Sequence, residues 1–284
     1  MNPLVSICIP TYNGEAFLKE ALNSIKLQTY NNIEVVVSDD ASHDNTLKIL
    51  ERFKSEVDFS VNIYHHLPKG IGANWNNCIE HANGEYIKFL FQDDVLETSC
   101  IKEQVDFLIV NKLKAVCSKR LIINEFSEPV DSGGWYSFNY DLQKNIDFND
   151  YFFFKKKHLK YSSSIMHNLF GEPDTFLYDK SIFNELGVFN ENYKQILDLE
   201  FSYRLLEKYT IGIQNKRLLK FRLHSNQATA LNNGKTLPER KEFICYVGAK
   251  YFFYLSKSAK KMYFLEKIPV LQKWGKLKAW MGLK

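Results

Sequence analysis

The chain has 284 residues, 45% of them apolar and 25% charged, and a formal net charge of +4. This composition excludes a disordered or repetitive polymer, supplies a full apolar core in one large domain or in a core with extensions, and gives nucleic-acid binding no electrostatic footing. No window approaches the roughly 18–20 apolar residues of a membrane span.

Five scattered cysteines, Cys8, Cys78, Cys100, Cys117 and Cys245, lack CxxC spacing and read as the reduced thiols of a cytoplasmic protein. Met1-Asn2-Pro3-Leu4 runs into the first predicted strand without a secretory pattern.

Leu4 to Ile9 predicts a short buried strand closed by Pro10. Asn13 offers a cap ahead of Phe17, Leu18, Ala21, Leu22 and Ile25, whose spacing gives one apolar helix face. Ile33 to Val37 is a second strand, Leu47, Leu50 and Phe53 mark a second helix, and Val61 to Tyr64 a third strand. Trp75, Cys78, Ile79 and Ala82 share a helix face that Asn83-Gly84 terminates; strand Tyr86 to Phe91 and a helix through Ile101, Val105, Leu108 and Ile109 follow. This alternation, continued by Ala115 to Ser118, predicts a mostly parallel α/β sheet.

From Leu121 to Lys160 the periodicity is weak and aromatics abound, predicting loops and short strands. Beyond Gly171-Glu172-Pro173, helices are expected near Asp179 and from Leu197 to Lys208, then extended segments at Ile211 to Ile213 and Leu218 to Leu223. From Glu239 onward the pattern is helical, aromatic and lysine-rich.

Acidic residues stand where two apolar runs end: Val35-Val36-Val37 leads into Ser38-Asp39-Asp40, and Ile87 to Phe91 leads into Gln92-Asp93-Asp94. Carboxylates beyond the carboxyl ends of parallel strands suit a nucleotide and the metal that carries its phosphates, Mg²⁺ or Mn²⁺ rather than Zn²⁺. Asp39 or Asp40 could take a base or ribose, a helix cap being the alternative; Asp94 leads as metal ligand against a capped turn. Gly70-Ile71-Gly72 does not complete a dinucleotide fingerprint, so Gly70 and Asn76 are read as donor-site positions, with Trp75 in the core or as a lid. Asp198 and Glu200, two apart on a helix, cannot play equivalent roles, and one of them can pair with Arg204. His224, after a short strand, is a candidate contact to metal or diphosphate.

Taken together, Pro10-Thr11-Tyr12-Asn13-Gly14, Ser38-Asp39-Asp40-Ala41-Ser42, Gln92-Asp93-Asp94, Leu197-Asp198-Leu199-Glu200 and His224 resemble family 2 glycosyltransferases with a GT-A, Rossmann-like fold. The resemblance implies an inverting enzyme that moves a sugar from a nucleoside-diphosphate donor, a UDP-sugar, to a hydroxyl of a glycan or lipid-linked saccharide in surface-polysaccharide assembly. It places Pro10, Thr11, Tyr12, Asn13, Asp39, Asp40, Gly70, Asn76, Gln92 and Asp93 at the donor, with Thr11 and Asp39 on the base and Asp40 near the ribose. Asp94 and His224 would hold the metal, and Asp198 would be the general base. The acceptor side is expected around Glu172, Trp135, Glu200 and Arg204.

Three departures accompany the resemblance: Gln92 where an acid would complete DxD, Leu197 where relatives carry Glu, and Trp75 where they carry Arg. A sugar-phosphate nucleotidyltransferase and a nonenzymatic carbohydrate-binding protein are the competing readings.

The catalytic domain is assigned to residues 1–225, with the donor site mainly in 1–96 and the acceptor side in 97–225, followed by a basic helical extension over 226–284. Leu255 to Lys284 holds eight Lys and one Glu. A stripe of Phe264, Leu265, Ile268, Leu271 and Trp274 beside Lys261, Lys267, Lys273 and Lys276 could lie on an anionic membrane, at the cytoplasmic face of the inner membrane, or pack on the protein.

Overall fold

A computed structural model of the chain describes residues 2–130, 148–227, 237–268 and 270. The first three strands, β1 (Val5–Thr11), β2 (Ile33–Asp39) and β3 (Val61–His65), alternate with helices α1 (Leu18–Lys26), α2 (Thr46–Ser55) and α3 (Ile71–His81). Both long strands are buried along their whole length, which follows from covering a parallel sheet on both faces with helices. β4 (Tyr86–Phe89), the two-residue β5 (Val95–Leu96), α4 (Cys100–Asn111) and β6 (Ala115–Ile123) complete the first half.

The second half holds β7 (Tyr151–Phe154), β8 (Phe176–Asp179), α5 (Ser181–Leu186), α6 (Leu197–Lys208), β9 (Ile211–Arg222), α7 (Arg240–Lys250) and α8 (Lys257–Lys267). Short 3-10 segments stand at Lys156–Tyr161, Pro173–Thr175 and Phe252–Tyr254.

Nine strands among the described residues form one sheet in the order β3-β2-β1-β4-β8-β6-β9-β5, with β7 also on β9. β8 runs antiparallel to both of its neighbours, β4 and β6, while β6 and β9 are parallel. The carboxyl ends of β1, β2, β4, β6 and β9 therefore share one edge, and the chain arrives at that edge again through residues 172–175 just before β8.

Several expectations shift. The helix begins at Leu18 with Phe17 before it and no side-chain cap, while Asn13 takes a left-handed φ of 48° and its side chain accepts the His43 N–H at 2.9 Å. The two extended segments after residue 210 are one strand, β9, bent by a register irregularity opposite Ser118–Arg120 of β6. Ile109 is half exposed, although Ile101, Val105 and Leu108 are buried as their spacing requires.

The C-terminal helices are not detached. Phe243, Ile244, Val247, Tyr251, Leu255, Ala259 and Tyr263 join the core cluster of Leu205, Phe201 and Ile211, and Tyr251 donates to the Tyr203 carbonyl at 2.7 Å. The five cysteines are free thiols, four of them buried. Among the described residues, no helix is long and apolar enough to cross a membrane.

Gly84 lies where the chain turns from α3 into β4, its N–H donating to Ser6 Oγ at 2.8 Å. A Cβ there would meet Ser6 N at 2.6 Å and the Leu4 carbonyl at 2.8 Å, both backbone atoms of the β1 approach. Gly84→Ala is expected to destabilise the fold by about 1–3 kcal/mol, read as a drop in Tm of roughly 2–4 °C per kcal/mol. An unchanged thermal melt would show that this junction is free to relax.

Candidate active site

The shared strand edge opens into a cleft of about 570 Å³. One side comes from the ends of β1 and β2 and the start of α3: Thr11, Tyr12, Asp40, Gly70 and Asn74. The second half contributes Asn168, Glu172, Asp198, Phe221 and His224, and Asp93 and Asp94 join them from the turn after β4. The apolar pair Trp75 and Phe91, stacked with ring centroids 5.1 Å apart, lines the cleft as well. The position where relatives were expected to carry Arg therefore presents an aromatic surface.

Each acidic pair divides its labour. Asp39 is fully buried and saturated: Thr11 Oγ1 donates to it at 2.9 Å, Ser42 Oγ at 2.6 Å and Ser42 N at 2.8 Å. Asp40, next in the chain, faces the cleft, where the Lys69 N–H donates to it at 3.2 Å and His66 Nδ1 lies 3.5 Å away. The turn from Ser38 to Ser42 is thus braced by one carboxylate while the other is presented.

The second pair repeats the pattern. Asp93 Oδ2 lies 2.9 Å from His224 Nε2. Asp94 is 1% exposed, and its Oδ1 accepts the Arg222 N–H at 2.7 Å. Its Oδ2 and both carboxylate oxygens of Asp174 are buried without a donor from another side chain or backbone group. Burial, reinforced by the nearby Asp93 and Asp174 charges, pushes the Asp94 carboxyl well above its usual range. Burial raises the Asp174 carboxyl too, although the neighbouring Asp94 carboxyl and the Lys88 and Arg120 charges pull the other way.

Asp94, the expected leading metal ligand, lines the cleft with Oδ1 taken by the Arg222 N–H and Oδ2 without a donor, while Asp93 is the more accessible carboxylate of the pair. Among the described residues no cluster of three or more His, Cys, Asp or Glu could enclose a metal. The adjacent carboxylate and imidazole of Asp93 and His224 nevertheless fit one hard divalent cation that takes its remaining ligands from phosphate and water.

Asp198 stands in the first turn of α6 at the cleft wall. Burial pushes its carboxyl up to about 6, although backbone N–H groups of Leu199 and Asp198 and the Arg120 charge pull the other way. Asn168 Nδ2 donates to Asp198 Oδ2 at 2.7 Å, and Asn168 Oδ1 in turn accepts the N–H groups of Phe170 and Gly171 at 3.3 and 3.2 Å. The base candidate is held by a side chain that is itself held.

The other expected site residues divide between the cleft and its surroundings. Asn76 clamps α3 to a loop, donating to the Phe189 carbonyl and to Glu191 at 2.9 Å and accepting the Phe189 N–H. The neighbouring Asn74 faces the cleft instead. Gln92 exchanges both amide hydrogen bonds with the Tyr12 backbone at 2.9 and 3.0 Å, fixing the Tyr12 loop at the cleft mouth. Glu200 and Arg204 pair with each other, and Arg204 also donates to the carbonyls of Leu186 and Val188, so both are outside the cleft. Glu172 is in the cleft, paired with Arg120. Trp135 lies outside the described residues.

Asn168, Asp174, Arg120 and Arg222 were missed. For Arg222 a signal was present: it is a cation between Phe221 and Leu223 at the end of an apolar run, where only a buried partner makes it tolerable, whereas Arg120 beside Lys119 gives a weaker one. No comparable signal marks Asn168.

Comparison with known proteins agrees with this architecture. The family model described as Glycosyl transferase family 2 matches residues 6–187. An uncharacterized glycosyltransferase of Rickettsia typhi, RT0329, is 30% identical over 235 residues, covering 81% of this chain and 68% of its own length. The Escherichia coli UDP-Glc:alpha-D-GlcNAc-diphosphoundecaprenol beta-1,3-glucosyltransferase WfgD is 34% identical over 125 residues, 44% of this chain and 48% of that protein. Among solved structures, Staphylococcus aureus TarS 1-349 in complex with UDP-GlcNAc superposes with a TM-score of 0.67 at 20% identity, covering 86% of this chain and 65% of that one, a likeness of fold.

The raised carboxyl of Asp198 makes the folded state hold this proton more tightly than the unfolded chain. Its stabilising contribution is complete below the ordinary value of 3.8 and is lost as pH rises through about 6. Asp198→Asn keeps an oxygen for Asn168 and removes the ionisation. The variant is expected to match the parent near pH 4 and to exceed it at pH 7.5 by ~1–2 kcal/mol, allowing for the partial exposure of the group. Thermal melts at the two pH values check this; equal stability at both would deny Asp198 its raised pKa.

Proposed function

The chain belongs to glycosyl transferase family 2, and from that premise we propose an inverting transfer of a sugar from a nucleoside-diphosphate donor, a UDP-sugar, to a hydroxyl of a glycan or lipid-linked saccharide. The observation that carries this reading is a single cleft lined at once by a carboxyl poised at about 6, by a carboxylate–imidazole pair and by the strand-end residues Thr11, Asp40 and Asn74.

The nucleoside lies along Pro10 to Tyr12, with Asp40 rather than the saturated Asp39 accepting from base or ribose. The Gly70 backbone, at φ 95°, lets the α3 turn approach the donor without a side chain between them. Asp93 and His224 would hold Mg²⁺ or Mn²⁺ against the diphosphate; such an ion, when bound, neutralises charge gathering on the leaving phosphate. Trp75 and Phe91 offer an apolar floor to the sugar.

Asp198 takes the proton of the acceptor hydroxyl as its oxygen bonds to the anomeric carbon. The bond from that carbon to the diphosphate breaks, and the nucleoside diphosphate leaves on the opposite side. One displacement inverts the centre. A pKa near 6 leaves the base mostly ionised at neutral pH while retaining basicity, and general-base catalysis of this kind contributes roughly 10²- to 10⁴-fold. WfgD, whose name specifies a diphosphoundecaprenol-linked acceptor, supports the lipid-linked class of acceptor for this chain.

Calorimetric titration with UDP should show binding in Mn²⁺ that falls at least about tenfold in EDTA or in Asp93→Ala. Asp198→Asn should keep UDP affinity while losing transfer by about 10²- to 10⁴-fold. Absence of binding to any nucleoside diphosphate would sink the donor assignment, and transfer by Asp198→Asn at the parental rate would sink the base.

Asn168→Leu removes the N–H that favours ionised Asp198, so the acidic limb of the kcat profile should move upward by about one pH unit. A limb that stays in place while kcat falls uniformly would leave Asn168 with a packing role only.

A further inference from the structure

Two segments about a hundred residues apart in the chain meet on one face beside the acceptor wall. The 3-10 segment Lys156–Tyr161 packs on the second one, Phe252–Tyr254, with Lys156 Nζ over the Tyr254 ring at 5.5 Å. Helix α8 closes the group: Phe264 meets Phe252 edge-on at 5.7 Å, and Lys260 Nζ lies 5.0 Å from the Phe252 ring.

The face is apolar at its tip and basic around it. Phe253 is 91% exposed, an extreme value for a residue of this size, and Phe264, Ile268 and Val270 are also open to solvent. Around them stand Lys155, Lys156, Lys157 and Lys160 from one segment, all exposed. Along α8, Lys257, Lys260, Lys261 and Phe264 fall at helical spacing on one stripe, and Ile268 follows just past the helix end. Neither stretch, 155–161 or 252–264, contains an Asp or Glu, and Glu266 is paired with Arg240. The local field is felt within the patch: besides burial, Lys157, Lys160 and Lys155 depress the pKa of His158.

We propose that this basic-aromatic face is a docking surface for an anionic lipid bilayer, with Phe253 entering the headgroup–acyl boundary and the lysines on the headgroups. Charge complementarity selects that occupant: like charge of this density opposes a second copy of the same face, and aliphatic Ile268 and Val270 suit acyl chains but have no π-face for nucleobases. The surface differs from a tail-only anchor because four of these seven lysines come from residues 155–160. Ser164 donates to Met262 Sδ of α8 at 3.7 Å, and Met166 and Asn168, just beyond it in the chain, line the cleft, which puts the lipid surface beside the wall assigned to the acceptor. The docking itself does not depend on the donor reading.

Co-sedimentation of the full chain with phosphatidylcholine vesicles, with and without about 30% phosphatidylglycerol, tests it. Binding is expected only to the anionic vesicles and should weaken in high salt. Phe253→Asp and the pair Lys156→Glu with Lys260→Glu should each reduce the bound fraction at least about fivefold; all three sites are at the surface, and unchanged circular dichroism and UDP titration verify the folded state. No binding by the parent, equal binding to neutral vesicles, or variants that bind like the parent would overturn the proposal. A dimer that Phe253→Asp dissociates, or competition by an oligonucleotide in preference to vesicles, would overturn it in favour of a second copy or a nucleic acid.

Discussion

The cleft depends on one buried guanidinium. Arg222, fully buried at the end of β9, donates to the Asp93 carbonyl at 2.8 Å, the Asn124 carbonyl at 3.1 Å, Ser127 Oγ at 2.8 Å and Glu20 at 2.5 Å, and lies over the Phe17 ring. Its backbone N–H braces Asp94 as well. A charge without solvent is tolerable only when its donors are paired, and here the partners are distributed over α1, the loop after β4 and the turn after β6. The position of His224, two residues onward, and of Asp93 are therefore set together by the same side chain.

A second buried cation supports the other wall. Lys88 donates to the carbonyls of Asp174 and Phe176 and to Gln104, while Gln104 donates to the Thr175 carbonyl. This ties β4 of the donor half to the approach into β8, across the antiparallel seam of the sheet. The charges of Arg120 and Asp174 both reach Asp198, in opposite senses, and its raised carboxyl reflects burial more than any single neighbour. Stabilising charges of this sort hold the reactive groups rigid without themselves touching substrate.

Much of this was legible in the sequence because the relevant signals are local. Apolar periodicity located β1, α1, β2 and α6, and the ordered acidic motifs located the cleft on the correct strand edge. Which member of each acidic pair faces solvent was not legible. Successive residues past a strand end point in different directions, and the choice between Asp93 and Asp94 is made by Arg222, 128 residues from Asp94 in sequence. Asn76 was misplaced for the same reason: its partners, Phe189 and Glu191, are distant in the chain. β8 escaped because a four-residue strand carries little pattern of its own, and its place is decided by pairing with β4 and β6.

β6 and β8 are antiparallel neighbours, joined at Ala115 to Tyr178 and Cys117 to Phe176. The described residues between them, 124–130 and 148–175, touch the sheet once on the way, where β7 pairs with β9, and come back at β8 beside the strand they left, so that a change of loop length there is absorbed as in a hairpin. The nucleotide wall, built on β1 to β3, shares no strand with this excursion. The scaffold thus behaves like a tool holder with an exchangeable head: the excursion can be lengthened, shortened or swapped to suit a new substrate while the grip on the nucleotide keeps its dimensions.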